Sequence, residues 1–182
     1  MSRWHRLLAL LPVVLMAACA QLRPMAPVDA GHQAEAPDFR IDGRLAVKAT
    51  GKGHYGNFDW KRVAGVDDVA VMSPLGQIVA TLNRQRDAVC LVAHQRERCA
   101  ADTEQLTEAE LGWPLPLDNL GWWILGRPAP GAWQQDGAGF VQDGWRIVAE
   151  SPVDTPAGPR PTRVTLTRGS DLEIRFAING WQ

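Results

Sequence analysis

The chain lacks most of what marks an enzyme, a nucleic-acid binder or a membrane-spanning protein. Charge of one sign is missing: 19 basic residues stand against 20 acidic ones in 182, a net of −1, so no basic footprint for a polyanion exists. Long apolar runs are missing too. The longest covers residues 7–18 and has 12 residues, short of the roughly 20 that a helix needs to cross a bilayer. There is no GxGxxG behind a strand, no GxxxxGK[ST], no HExxH and no GxSxG. Histidine is scarce, and His32, His54 and His94 are scattered, which argues against a tetrahedral metal site. The carboxylates are dispersed among strand edges, loops and helix starts, with no acid–base pair. No catalytic residue, metal or cofactor is therefore expected. Tyrosine occurs once, whereas tryptophan occurs eight times. Trp carries the largest apolar surface of any side chain, so this protein is built around wide, flat apolar area. With 46% hydrophobic and 21% charged residues, most of the chain has the composition of a globular domain rather than of a disordered one.

The N-terminus has a basic head with Arg3 and Arg6, the short apolar run, and small residues at its end, which is the form of a secretory signal. Ala17-Ala18-Cys19 closes it and resembles the bacterial lipobox, with Met16 in place of the usual Leu. The resemblance implies cleavage before Cys19, diacylation of Cys19, and anchoring by acyl chains that contribute about 0.8 kcal/mol per buried CH₂. In lipoproteins of this type an Asp after the Cys favours retention in the inner membrane, so Ala20 implies the outer membrane. Loss of Arg3 and Arg6 takes the 19 basic residues to 17 against 20 acidic, a net of −3. Pro24, Pro27, Gly31 and Pro37 punctuate a segment without apolar period, which reads as a flexible tether. The expected organisation is residues 1–18 as signal, 19–37 as lipidated Cys and tether, and 38–182 as one folded domain.

From Phe39 the pattern has period two. Ile41, Gly43, Leu45 and Val47 share one face, with Asp42, Arg44, Ala46 and Lys48 on the other, as in a half-buried strand. Strands follow at 54–60, with Phe58 and Trp60 on one face, then at 67–72 and 77–82, joined by Ser73-Pro74-Leu75-Gly76. A hairpin turns around His94-Gln95-Arg96. Asp102 with Gln105 forms a capping-box signature opening a helix, which Gly112-Trp113-Pro114 ends. Residues 117–125 form a second short helix that is apolar most of the way round through Leu120, Trp122, Trp123 and Ile124. Such a helix must be enclosed or must close over something. Short strands resume at 133–135, 139–142 and 145–150. Residues 152–161, rich in Pro, read as a loop, and a last hairpin spans 163–168 and 171–178. The total is about nine to eleven short strands with helices inserted midway. An antiparallel sheet with one solvated face needs its other face covered, so the expected fold is mostly β: a curved antiparallel sheet, an incomplete barrel, with an α-helical lid over a hydrophobic cavity.

If the hairpin turns at His94-Gln95, Cys90 stands opposite Cys99, within reach of a disulfide, and an exported chain meets an oxidising compartment. Two small apolar residues on a strand pair would fit the same register.

The folded part resembles the LolB family of outer-membrane lipoprotein receptors. The likeness runs from Phe39 to Trp181 through Gly43-Arg44-Leu45-Ala46, Phe58-Asp59-Trp60, Ser73-Pro74-Leu75-Gly76, Leu115-Pro116-Leu117, Trp123-Ile124-Leu125-Gly126 with Pro128, and Gln142-Asp143-Gly144-Trp145. The family implies a curved sheet of about eleven strands under a helical lid. It implies a monomer that takes lipoproteins from a LolA-like periplasmic carrier, shelters their acyl chains and inserts them into outer-membrane lipid, with no part for nucleic acid. Candidate cavity and lid residues are Phe58, Trp60, Leu120, Trp122, Trp123, Ile124, Trp145 and Phe176, although the same side chains would also make an ordinary core. Leu75 sits in a turn where an apolar side chain should be exposed, and the family implies a role for it in membrane insertion. Two alternatives stand beside this reading: a soluble LolA-like carrier, which would lack the lipobox, and an envelope lipoprotein whose interior is filled by its own side chains.

Overall fold

A computed structural model describes residues 35–182. The signal segment, Cys19 and nearly all of the tether lie outside the described residues.

The first half of the chain forms β1 (Phe39–Ala49), β2 (Lys52–Val63), β3 (Val66–Met72), β4 (Ile78–Arg84), β5 (Val89–Ala93) and β6 (Arg96–Ala100). Two helices follow, α1 (Thr103–Leu111) and α2 (Leu117–Trp123). The second half forms β7 (Gln134–Asp136), β8 (Gly139–Gln142), β9 (Trp145–Val153), β10 (Arg160–Arg168) and β11 (Leu172–Trp181). All eleven strands join one antiparallel sheet in the order β6-β5-β4-β3-β2-β1-β11-β10-β9-β8-β7. The edges β6 and β7 do not pair with one another, so the barrel stays incomplete. The chain between those two edges is the helical insert.

Alternation in β1 is realised in full: Phe39, Ile41, Gly43, Leu45, Val47 and Ala49 are buried, while the residues between them are wholly or partly exposed. β1 carries a register shift at Asp42/Gly43. A Cβ on Gly43 would collide with the carbonyl oxygen of Ala177, so the close approach of β11 there requires glycine. At the start of α1 the Asp102 carboxylate accepts from the Gln105 backbone N–H at 2.9 Å and from the Gln105 side-chain amide at 3.0 Å. Gly112, with φ 83°, ends the helix in the left-handed conformation, as a C-terminal glycine should.

One expectation is corrected. Residues 152–161 are not all loop: β9 runs on to Val153 and β10 begins at Arg160, with Pro152 directly opposite Pro161. Proline removes a ladder donor, yet here the two donor-less residues face each other. The irregularity is taken up beside them, where Ser151 has φ 54° and its carbonyl accepts from the Thr162 hydroxyl at 2.7 Å.

Candidate functional site

The inward face of the sheet has two different ends. At one end, the strands carry large side chains. Phe39 meets Trp60 edge-on with ring centroids 4.9 Å apart. The Trp60 indole N–H donates to Asp67 Oδ1 at 2.9 Å, and Arg62 Nη1 donates to Asp67 Oδ2 at 2.6 Å. Arg84 Nη1 reaches the same oxygen at 3.3 Å, while Arg84 Nε pairs with Asp118 on α2. Arg62 also donates to the Ala36 carbonyl at 3.4 Å. Asp67 and Arg62 are both buried. Burial pushes the Asp67 carboxyl above its ordinary range, against the opposing pull of Arg62, Trp60 and Arg84. This network ties the start of the folded domain, β2, β3, β4 and α2 into one polar knot. No buried side-chain polar atom is left without a partner among the described residues.

Helix α2 is enclosed in that end. Leu117, Leu120, Gly121 and Trp123 are buried, as are Ile124 and Leu125 just beyond it. Trp122 is half-buried. The Trp123 indole donates to Gln142 Oε1 at 2.8 Å, and Gln142 also bonds both backbone groups of Ala129. Trp145 is buried, donates to Glu104 at 3.1 Å, and lies under the Arg168 guanidinium at 4.5 Å. Phe58 and Phe176 meet edge to face at 5.4 Å.

Toward the other end β2, β4 and β5 carry smaller inward residues, and a cavity of about 500 Å³ opens. Leu45, Val47, Val71, Ala80 and Ala93 line it from the sheet, and Leu111 and Trp113 roof it from the end of α1. His54, Glu110 and His94 stand at its edge. Ligand clefts run from roughly 300 to 1,000 Å³, so this space suits an apolar chain. None of Phe58, Trp60, Leu120, Trp122, Trp123, Ile124, Trp145 and Phe176 is among its lining residues. Phe58 and Phe176 are its nearest neighbours by register: Phe176 faces Leu45 across β1, and Phe58 is the next inward residue after Gly56. The lining residues escape a reading of the sequence that looks for bulk. The available signal was the reverse: inward positions falling from Trp60 and Phe58 to Gly56, from Leu82 to Ala80, and from Leu91 to Ala93.

The β3–β4 loop borders the cavity through Ser73 and Pro74. It is pinned by Ser73 N–H to Gln77 O at 2.8 Å and Gly76 N–H to Ser73 O at 2.9 Å, with Gly76 at φ 83°. At its tip Leu75 is 89% exposed, and Ile78, Val79 and Tyr55 nearby are also exposed. On the edge hairpin, Cys90 faces Cys99 with Cα atoms 4.1 Å apart and the sulfurs at bonding distance.

Comparison with known proteins gives the family. The family profile described as "Outer membrane lipoprotein LolB" matches residues 37–181. An outer-membrane lipoprotein LolB from Chromobacterium violaceum is 39% identical over 182 residues, covering 98% of this chain and 99% of that protein. LolB proteins of Stutzerimonas stutzeri and Thiobacillus denitrificans are 31% and 36% identical, covering 100% and 92% of this chain and 97% and 91% of those proteins. A crystal structure of a LolA superfamily protein from Nitrosomonas europaea shares the fold, with a TM-score of 0.50 at 7% identity over 82% of this chain and 87% of that one. The chain belongs to the LolB family of outer-membrane lipoproteins.

Proposed function

We propose that the protein is an outer-membrane receptor, anchored through Cys19 at the periplasmic face, that accepts lipoproteins from a LolA-like carrier and delivers them to the membrane. The carrying observation is the apolar cavity at one end of the sheet with the exposed Leu75 loop on its border. Exposing one acyl chain of about sixteen carbons to water costs on the order of 12 kcal/mol at ~0.8 kcal/mol per CH₂, so free passage of a lipoprotein through the periplasm is negligible. A receptor must shelter the chains in apolar surroundings and then release them. Apolar burial is non-directional, which suits cargo of varied protein sequence. No nucleotide-binding motif is present, so transfer runs downhill from carrier to receptor to bilayer. Val47, Ala80, Ala93, Leu111 and Trp113 hold the chain. Phe58 and Phe176 close the inner side of the space, and the buried tryptophans with α2 form the rigid wall behind them. Leu75, with no apolar neighbour covering it, enters the lipid. The protein acts by binding and release rather than by catalysis.

A transfer assay tests this reading. Cargo lipoprotein loaded on carrier is mixed with the receptor and then with liposomes. Leu75→Glu is expected to accept cargo as the wild type does and to deliver little of it, with stability changed by no more than about 0.5 kcal/mol because the site is exposed. Unchanged delivery would remove Leu75 from the mechanism, and no uptake by the wild type would favour a filled-core envelope lipoprotein.

A further inference from the structure

The outward face of the sheet carries a second concavity that the acyl-chain reading does not use. It is a groove of about 890 Å³ beside the cavity, on the opposite side of β1 and β2. Its geometry follows from register. Arg44 on β1 and Arg163 on β10 both face Ala177 of β11. Two strand spacings separate them, roughly 10 Å. Arg175, two residues along β11, lies between Ala46 and Thr165 on the same face. Three guanidinium groups thus surround a floor of small residues.

Two carboxylates share the groove. Glu173 is occupied by Arg175 at 2.7 Å. Glu150 stands opposite Arg163 in register, but the two are not within ion-pair distance. Among the described residues neither Arg44 nor Arg163 has an ion-pair partner. Arginine presents a planar fork that matches phosphate oxygens bidentately. The groove ends at Tyr55 and Pro74, and both residues also line the apolar cavity. Tyr55 is exposed, and a Tyr ring has the amphipathic character that favours the headgroup level of a membrane. Pro74 precedes Leu75 in the chain. The ridge between the groove and the cavity therefore joins Tyr55 of β2 to the loop that the proposed function sends into lipid.

We propose that the Arg44–Arg163–Arg175 groove binds the phosphodiester headgroup of an anionic membrane phospholipid, and so sets the domain on the membrane with the cavity mouth against it. The proposal rests on the membrane role of the Leu75 loop for its orientation, while the anion site itself stands on the arginines. Leu75 supplies depth, the arginines supply register, and a chain leaving the cavity crosses the Tyr55–Pro74 ridge directly into the bilayer.

The test is co-sedimentation of the mature chain, residues 19–182, carrying Cys19→Ala, so that neither the signal segment nor an acyl anchor contributes, on two kinds of vesicle: phosphatidylcholine alone, and phosphatidylcholine with phosphatidylglycerol. Wild type should bind the anionic vesicles more tightly, with affinity falling as salt rises. Arg44→Gln with Arg163→Gln should lose that increment, about fivefold per charge removed, and keep the binding to phosphatidylcholine. Arg44→Lys with Arg163→Lys should retain part of the increment, which separates lost charge from lost folding. Lys61→Gln with Arg96→Gln makes an equal charge change elsewhere on the surface and should leave the increment in place. If this control lowers anionic binding as much as the groove variant does, or if the groove variant binds like wild type, the proposal is overturned. Leu75→Glu should weaken binding to both vesicles. If it weakens neither while the groove variant loses its increment, the anion site stands and the membrane role of Leu75 fails.

Discussion

Along β2 the inward residues run Trp60, Phe58, Gly56; along β4 they run Leu82, Ala80; along β5, Leu91, Ala93. At the large end the space is filled, with Trp60 and Trp123 buried and no buried side-chain polar atom unpartnered among the described residues. At the small end about 500 Å³ stays open. The strands run through both ends, while α2 fills the packed end and the end of α1 roofs the open one, so the sheet alone does not make the cavity. It accompanies a fall in inward side-chain volume along β2, β4 and β5, beside a register shift at Val71/Met72. Packing to native density needs summed volumes that fill the space between layers, and Gly56, Ala80 and Ala93 leave that sum short at the open end. The packed end then serves as the rigid body against which a guest is held.

Breaking the packed end should have the largest effect. Asp67→Ala removes both acceptor oxygens, so the buried Trp60 indole N–H and Arg62 guanidinium lose their partner, and it loosens Arg84, which also holds Asp118 of α2. Removing one partner of a buried pair costs about 3–5 kcal/mol, read as a lowered denaturant midpoint. The pH dependence sharpens the test. Burial, the largest influence, raises the folded-state pKa of Asp67 above its ordinary value. The native state then holds the proton more tightly than the unfolded chain, so this residue's contribution to stability falls as pH rises through its folded pKa and is greatest below the unfolded value. The gap between wild type and the variant should therefore widen on acidification from about pH 7 towards the ordinary Asp value of about 3.9. A gap that narrows on acidification would show that the guanidinium groups outweigh burial.

A smaller effect is expected at the open edge of the sheet. We propose that Cys90 and Cys99 form a disulfide after export. It pins edge strand β6, from which α1 departs to roof the cavity. Closing a loop of this length contributes about 2–3 kcal/mol in the chain-entropy model, so Cys90→Ala with Cys99→Ala should lose that much. Mass spectrometry of protein purified without reductant should find no free thiol at either position, and finding both free would refute the bridge.

The sheet was legible because its alternation is strict where one face is buried: β1 and β11 carry clean period-two stripes. The Cys90–Cys99 register was legible from the hairpin turn alone. The second half of β9 was not, because Pro152 and Pro161 carry the usual signature of a loop, and only their mutual pairing keeps them in the sheet. The site was harder still. Aromatic residues stand out in a sequence, and Trp60, Trp123 and Trp145 were natural candidates for an apolar lining, yet large side chains tend to fill the space they face. Small residues contribute to the cavity, and Ala80 or Ala93 signals nothing until the strand register sets Ala80 between Val71 and Ala93. The Asp67 network was invisible for a related reason: Arg62 on the inward face of β2 breaks the hydrophobic pattern and makes sense only once Asp67, Trp60 and α2 surround it.

The finest comparison between the two ends adds carbon to each. Gly121 lies in the packed end, where a Cβ would sit 3.1 Å from Arg62 Nη1 and 3.2 Å from Ala36 Cβ. Ala93 lies in the open end, where it is buried yet lines the cavity. Overfilling a packed core costs about 1–3 kcal/mol, whereas a side chain with room to enter costs less than that. Gly121→Ala should therefore lower the denaturant midpoint, although it adds a single methyl group. Ala93→Leu adds three carbons and should shift the midpoint by less than about 1 kcal/mol, since the new side chain gains apolar contact from space that was empty. Its consequence should appear in binding instead: a fluorescent fatty-acid probe that occupies the wild-type cavity should bind Ala93→Leu more weakly and Gly121→Ala about as well as wild type. Equal probe binding by wild type and Ala93→Leu would mean that the chain lodges elsewhere, and the volume gradient would then lose its functional meaning.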